Sequence, residues 1–256
     1  MKLRLAALAL ALPLALTACG GGSSSGKSSA PSKKTLNVFA AASLTETFQQ
    51  LGKTFEASHP GVTVKFNFGG SSALAQQITQ GAPADVFAAA SPATMKTVTD
   101  AGDAATTPAT FVKNELEIAV PPSNPAKITG LKDLANTKYK VVLCAAQVPC
   151  GAAATKALTG ANLKVTPVSL EQDVKGVLTK VELGEADAGL VYKTDVNSAD
   201  GRVKGIDFPE AATAINAYPI AVLKDAPQPG LAKEFTALVT GPQGLQVLTA
   251  AGFEAP

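Results

Sequence analysis

The sequence predicts an α/β protein, with small, mostly parallel sheets flanked by helices. Three observations point there. From Leu36 onward, short β-prone stretches alternate with amphipathic helical ones, the order that builds βαβ units. The 256 residues suit one large domain or two lobes of roughly a hundred residues each. The composition beyond Leu36 is globular, rich in alanine and without tryptophan.

The elements run as follows. TLNVFAA (35–41) is apolar and β-prone, and SLTETFQQLGKTFEAS (43–58) is amphipathic until HPG breaks it. VTVKFNF (62–68) is a strand, SALAQQITQG (72–81) a helix ending at glycine, and ADVFAAA (84–90) a strand. Ser91 and Pro92 supply the N-cap and first turn of a helix over SPATMKTVTDAG. A second unit repeats the pattern: strand ELEIAVPP (115–122), short helix GLKDLANT (130–137), strand KVVLCA (140–145), helix GAAATKALTG (151–160) and strand KVTPVS (164–169). EQDVKGVLTKVELG (171–184) is a helix with Val174, Val177, Leu178 and Val181 on one face, and AGLVY (188–192) a strand. AYPIAVL (217–223) is the last strand, before two helices broken at Gly-Pro over residues 229–253. In such sheets, ligands sit beyond the carboxyl ends of the strands.

Residues 1–18 read as a signal peptide: Lys2 and Arg4, an apolar run, then Leu16-Thr17-Ala18-Cys19. That ending resembles the lipobox of bacterial lipoproteins, which implies diacylation of Cys19; the other reading is ordinary secretion with an incidental cysteine. Two acyl chains suffice for stable anchoring. Residues 19–35, including GGGSSSGKSSAPSKK, read as a flexible tether reaching roughly 20 Å at random-coil scaling. The expected location is outside the cytoplasm, on the membrane surface.

With 22 Lys and Arg against 20 Asp and Glu, no basic face for nucleic acid is expected. Cys144 and Cys150, in an oxidising compartment, are expected to form a disulfide that pins their loop; a reactive thiol is the alternative. His59 is the only histidine and stands in a turn, so neither a metal site nor a serine hydrolase is expected. The phosphate-binding and nucleophile-elbow motifs are absent. The chemistry reads as binding, with no cofactor.

Three serines follow strand-like stretches at helix starts. Ser43 fits a capping box with Glu46, Ser91 reads as a plain cap, and Ser71 stands in FGGSSALAQQI. Ser43 and Ser71 by themselves fit either caps or ligands for an anion at a helix N-terminus.

FAAASLTETF, FGGSSALAQQI, GAPADVFAAAS, VPCGAAATKAL, EQDVKGVLTKVELGEADAGLVY and the closing AYPIAV…FTALVTGPQGLQVLTAAGF occur in that order. Together they resemble periplasmic molybdate-binding proteins, the substrate-binding components of molybdate ABC transporters. The resemblance spans about Leu36 to Phe253. It implies the two-lobe periplasmic-binding-protein fold (type II), with lobe one at 36–113 plus 220–256, lobe two at 114–219, and hinges near ELEIAV and AYPIAV. It also implies oxyanion contacts from Ser43, Ser71, Cys150, Val174 and Tyr192. Cys150 departs from the small residue that relatives often carry, so its contact would be the backbone N–H. Tyr192 has a second reading, as a packed strand-end aromatic.

Those five positions offer up to seven donors around one tetrahedral dianion. At about 1.5–3 kcal/mol each the gross gain is roughly 10–20 kcal/mol, much of it offset by closure and desolvation. A donor-only site disfavours hydrogen phosphate, which needs an acceptor. The implied function is capture of molybdate, with tungstate beside it, by a monomer that closes about its hinge and delivers to an ABC permease. Sulfate or a small organic anion is the alternative ligand; a surface hydrolase or a ligand-free scaffold is the more distant one.

Overall fold

The computed structural model describes residues 33–256. The signal peptide (1–18), the lipidated Cys19 and nearly all of the tether lie outside the described residues. Ten strands form two five-stranded sheets. In the first, β1 (Lys34–Ala41) pairs in parallel with β2 (Val62–Gly69) and β3 (Val86–Ala88). Completing it, β10 (Asn216–Val222) lies antiparallel between β3 and β4 (Ala109–Asn114), giving the order β2-β1-β3-β10-β4. β1 starts at Lys34, inside the stretch read as tether, because Lys34 already pairs with Val62 through backbone groups that composition does not reveal.

The second sheet repeats the plan. β6 (Val141–Cys144) is parallel to β7 (Ser169–Glu171) and β8 (Ala188–Tyr192). Between β8 and β9 (Lys204–Ile206) runs the reversed β5 (Leu116–Val120), so the order is β7-β6-β8-β5-β9. Each sheet is therefore mostly parallel, as the sequence predicts, with one reversed strand. The chain leaves the first sheet at Glu115, the single residue between β4 and β5. Asn114 belongs to the first sheet, opposite Asn216. β10 lies in that sheet along its whole length, so the chain returns before Asn216, earlier than the Ile220 read from sequence.

Around the first sheet stand α1 (Thr45–Ser58), α2 (Ser71–Thr79), α3 (Pro92–Asp100), α7 (Pro229–Thr240) and α8 (Pro242–Ala250). Alternation along β1 feeds two apolar clusters, one on each face. Leu36, Val38 and Ala40 join Phe48, Phe55 and Phe235, while Phe39 joins Leu74, Phe87 and Met95. Phe48 meets Phe66, Phe111 and Phe235 at centroid distances of 6.0–6.4 Å, a favourable aromatic range. The second sheet carries α4 (Pro149–Gly160), α5 (Val174–Glu182) and α6 (Lys193–Ser198). Val174, Val177, Leu178 and Val181 are all buried, as their spacing predicts.

Local differences have local causes. The helix read from Glu171 begins at Val174, because Asp173 caps it by accepting the Gly176 N–H at 3.0 Å. The strand read over 164–169 forms at Ser169–Glu171, where β6 offers a partner. GLKDLANT makes only a short 3₁₀ turn at Leu131–Ala135. β4, α6 and β9 were not read as elements at all: they are short and carry weak apolar periodicity. Among the described residues, no helix is long and apolar enough to cross a membrane.

Candidate functional site

The carboxyl ends of β1, β2 and β8 and the starts of α2, α4 and α5 converge on one cavity of about 20 Å³. A single water needs about 10–15 Å³, so the space suits one small ion. Ser43, Ser71, Cys150, Val174 and Tyr192 all line it, beside Ala42, Gly70, Ala90, Pro149 and Asp173. Each of the five is at most 5% exposed.

Helix geometry explains what these positions present. Ser71 and Val174 are the first residues of α2 and α5, and Cys150 is the second of α4. First-turn N–H groups have no acceptor within their own helix, and the helix dipoles add positive potential there. Ser43 lies in a 3₁₀ turn, Ala42–Leu44, that leads into α1. The capping box expected between Ser43 and Glu46 is not formed. Ser43 instead hydrogen-bonds the Tyr218 hydroxyl at 2.9 Å, and Glu46 accepts from Lys175 at 2.9 Å. Ser91 is the plain cap of α3, accepting from the Thr94 N–H at 3.2 Å.

The side-chain hydroxyls are held from behind. Ser71 Oγ accepts the Ala90 N–H at 3.0 Å, and Tyr192 accepts from Asn216 Nδ2 at 2.8 Å. Burial raises the Tyr192 pKa well above the ordinary phenol value, aided by Tyr218 and Asp195, so this group stays protonated. Tyr218, Asn114 and Asn216 complete a buried polar cluster that sequence reasoning missed. Nothing local marks them: each sits inside a strand whose partners come from distant sequence. Asp173 was likewise missed as a cavity residue.

The two halves of the cavity touch. Ser72 Oγ donates to the Gln147 carbonyl at 2.8 Å, and Lys175 reaches Glu46 across the same divide. A Cβ at Gly70 would collide with the Gln172 carbonyl oxygen, so the second glycine of FGGSS permits the approach. Cys144, at the end of β6, is disulfide-bonded to Cys150 with Cα atoms 5.7 Å apart. Just beyond, a Cβ at Gly151 would strike the backbone of Ala145, so the first turn of α4 packs directly on the strand end.

His59 lies elsewhere, stacked on Phe55 at 3.9 Å and 2.7 Å from Glu234, whose hydrogen bond raises its pKa. Among the described residues, no group of three or more His, Cys, Asp and Glu is placed to hold a metal ion.

A family model described as bacterial extracellular solute-binding protein matches residues 36–254. The molybdate-binding protein ModA of Mycobacterium bovis is 45% identical over 94% of this chain and 93% of its own. A Bacillus subtilis protein, provisionally named as the ABC transporter substrate-binding lipoprotein YvgL, is 35% identical over 91% of this chain and 92% of its own. Among solved structures, the periplasmic molybdate-binding protein of Azotobacter vinelandii superposes with a TM-score of 0.75 at 23% identity. It covers 86% of this chain and 99% of that one, which is a likeness of fold.

Proposed function

The chain belongs to the family of bacterial extracellular solute-binding proteins, and from that premise we propose that it captures molybdate, and tungstate beside it, for delivery to an ABC permease. The observation that carries this reading is the cavity where Ser43, Ser71, Cys150, Val174 and Tyr192 meet, in a chain 45% identical to a molybdate-binding relative. Helix-start N–H groups and hydroxyls would together surround a tetrahedral dianion, with no cofactor and no covalent step. Closure of two lobes about their connecting strands would complete the donor set from both sides. Anchoring through Cys19 is part of the same proposal, supported by the lipobox-like sequence and by the lipoprotein name of the Bacillus relative. So are a monomeric state and a location outside the cytoplasm, on the membrane surface.

The test is thermal unfolding of residues 33–256 with molybdate, tungstate, sulfate or phosphate added. A ligand at a hundred times its Kd stabilises by about 2.7 kcal/mol. Molybdate and tungstate are expected to raise the melting temperature by several degrees, and phosphate to leave it unchanged. A shift with sulfate alone would reassign the ligand within the same fold. No shift with any oxyanion would sink the reading.

A further inference from the structure

A hydroxyl is both donor and acceptor, so a serine or tyrosine in the cavity favours a bare anion only if its lone pairs are already engaged. Residues behind the cavity wall engage them. Asn216 Nδ2 stands 2.7 Å from the Ala90 carbonyl oxygen, which can only accept, so the amide orientation is settled. The other hydrogen of that NH₂ goes to the Tyr192 hydroxyl at 2.8 Å. An amide nitrogen offers no lone pair in return, so Asn216 does not take the Tyr192 proton, which can point to the cavity or to the neighbouring Tyr218 hydroxyl.

Ser43 is handled one step further away. The Glu115 N–H donates to Asn114 Oδ1 at 3.0 Å, which fixes the second amide. Asn114 Nδ2 then donates to Thr194 Oγ1 at 2.8 Å and, more weakly, to the Tyr218 hydroxyl at 3.4 Å. The Tyr218 hydroxyl lies 2.9 Å from Ser43 Oγ, a bond in which either can donate; the arrangement in which Tyr218, already receiving Asn114 Nδ2, donates to Ser43 leaves the Ser43 proton free. Ser71 receives the Ala90 N–H directly. Asp173 also lines the cavity; its Oδ1 accepts the Gly176 N–H, and its other oxygen remains an acceptor.

We propose that Asn216 and the Asn114–Tyr218 pair are specificity-determining positioning residues: they engage a lone pair of the Tyr192 and Ser43 hydroxyls, bias both toward donating into the cavity, and thereby disfavour oxyanions that carry a proton. Neither asparagine nor Tyr218 lines the cavity, so they act through Tyr192 and Ser43. The inference rests on the oxyanion-binding function proposed above, and it explains how a site made partly of hydroxyls rejects hydrogen phosphate. Both asparagines also stand where the chain passes between the sheets, Asn114 at the end of β4 and Asn216 at the start of β10.

The test compares hydrogen phosphate with monofluorophosphate at about pH 8. The two are dianions of similar size, but only the first carries a proton. Titration calorimetry should show that the wild type binds molybdate and monofluorophosphate and discriminates strongly against hydrogen phosphate. In Asn216→Ala or Tyr218→Phe, a freed lone pair can accept the phosphate proton. The preference for monofluorophosphate should narrow by about tenfold or more, while molybdate binding weakens. Equal binding of the two phosphates by the wild type would overturn the proposal, and this arm needs no variant to fold. Proportional weakening of every anion in folded variants would also overturn it, leaving these residues a structural role. A wild type that binds no oxyanion, molybdate included, would instead refute the functional reading beneath it.

Discussion

Asp195 is fully buried under the cavity, with Oδ2 accepting the Tyr192 N–H at 3.0 Å and Oδ1 facing Lys175 Nζ at 3.5 Å, an ion pair without a hydrogen bond. Burial pushes its pKa up to about 6, against the pull of Lys175. A carboxyl raised on folding keeps its proton longer in the folded state, so its contribution is full below the unfolded pKa of 3.8 and is lost as pH rises through about 6. Urea unfolding should therefore show wild-type stability falling relative to Asp195→Asn, by the order of 2 kcal/mol between about pH 4 and 7. Parallel curves would mean that Asp195 ionises equally well in both states. Asp195 itself carried no signal in the sequence. Ser43 and Ser71 stood out because strand, small residues and helix start follow one another within a few residues, and Tyr192 was implied by the family resemblance, whereas Tyr218 bonds Ser43, 175 residues away. The Ser43–Glu46 capping box failed for a related reason: both side chains found distant partners.

At the scale of the element, the loop from Cys144 to Cys150 joins β6 to α4 and forms one jaw of the cavity. It receives the Ser72 hydroxyl at Gln147, and the disulfide ties its two ends. Reduction, or the Cys144→Ser/Cys150→Ser double variant, should leave the α4 start less well ordered. The expected result is molybdate binding weaker by about fivefold, roughly 1 kcal/mol, for the ordering now completed on binding. Unchanged calorimetric affinity would remove this role. Most elements were readable because each carries a complete local pattern: β8 matches AGLVY, and α7 and α8 break at Gly241–Pro242. β4 was not, since ATFVKN owes its strand state to backbone pairing with distant segments, β10 and Glu254.

For the whole molecule, the contacts across the cavity decide how long a ligand stays enclosed. Lys175 follows Val174 at the start of α5 and bonds Glu46 on α1, near the other sheet, at 2.9 Å. Glu46 is half exposed, so the pair is screened by salt and worth less than about 1 kcal/mol. Glu46→Gln should speed molybdate release two- to fivefold in stopped-flow at low salt, with the difference vanishing at high salt; equal release rates at low salt would show that the pair does not hold the halves together. The two-sheet plan was readable from the repeated strand–helix pattern, but the crossing points were not, because a strand's sequence does not state which sheet it joins. That plan also sets an order of assembly. β5 to β9 are contiguous, so the second sheet has all its strands once residue 206 is available. The first sheet must wait for β10, and until then β4 has no neighbour. A chain emerging from its N-terminus thus carries an unfinished first half past a completed second one, and the strand that finishes it also sets Asn216 and Tyr218 behind the cavity wall: the site cannot be complete before the sheet that holds it.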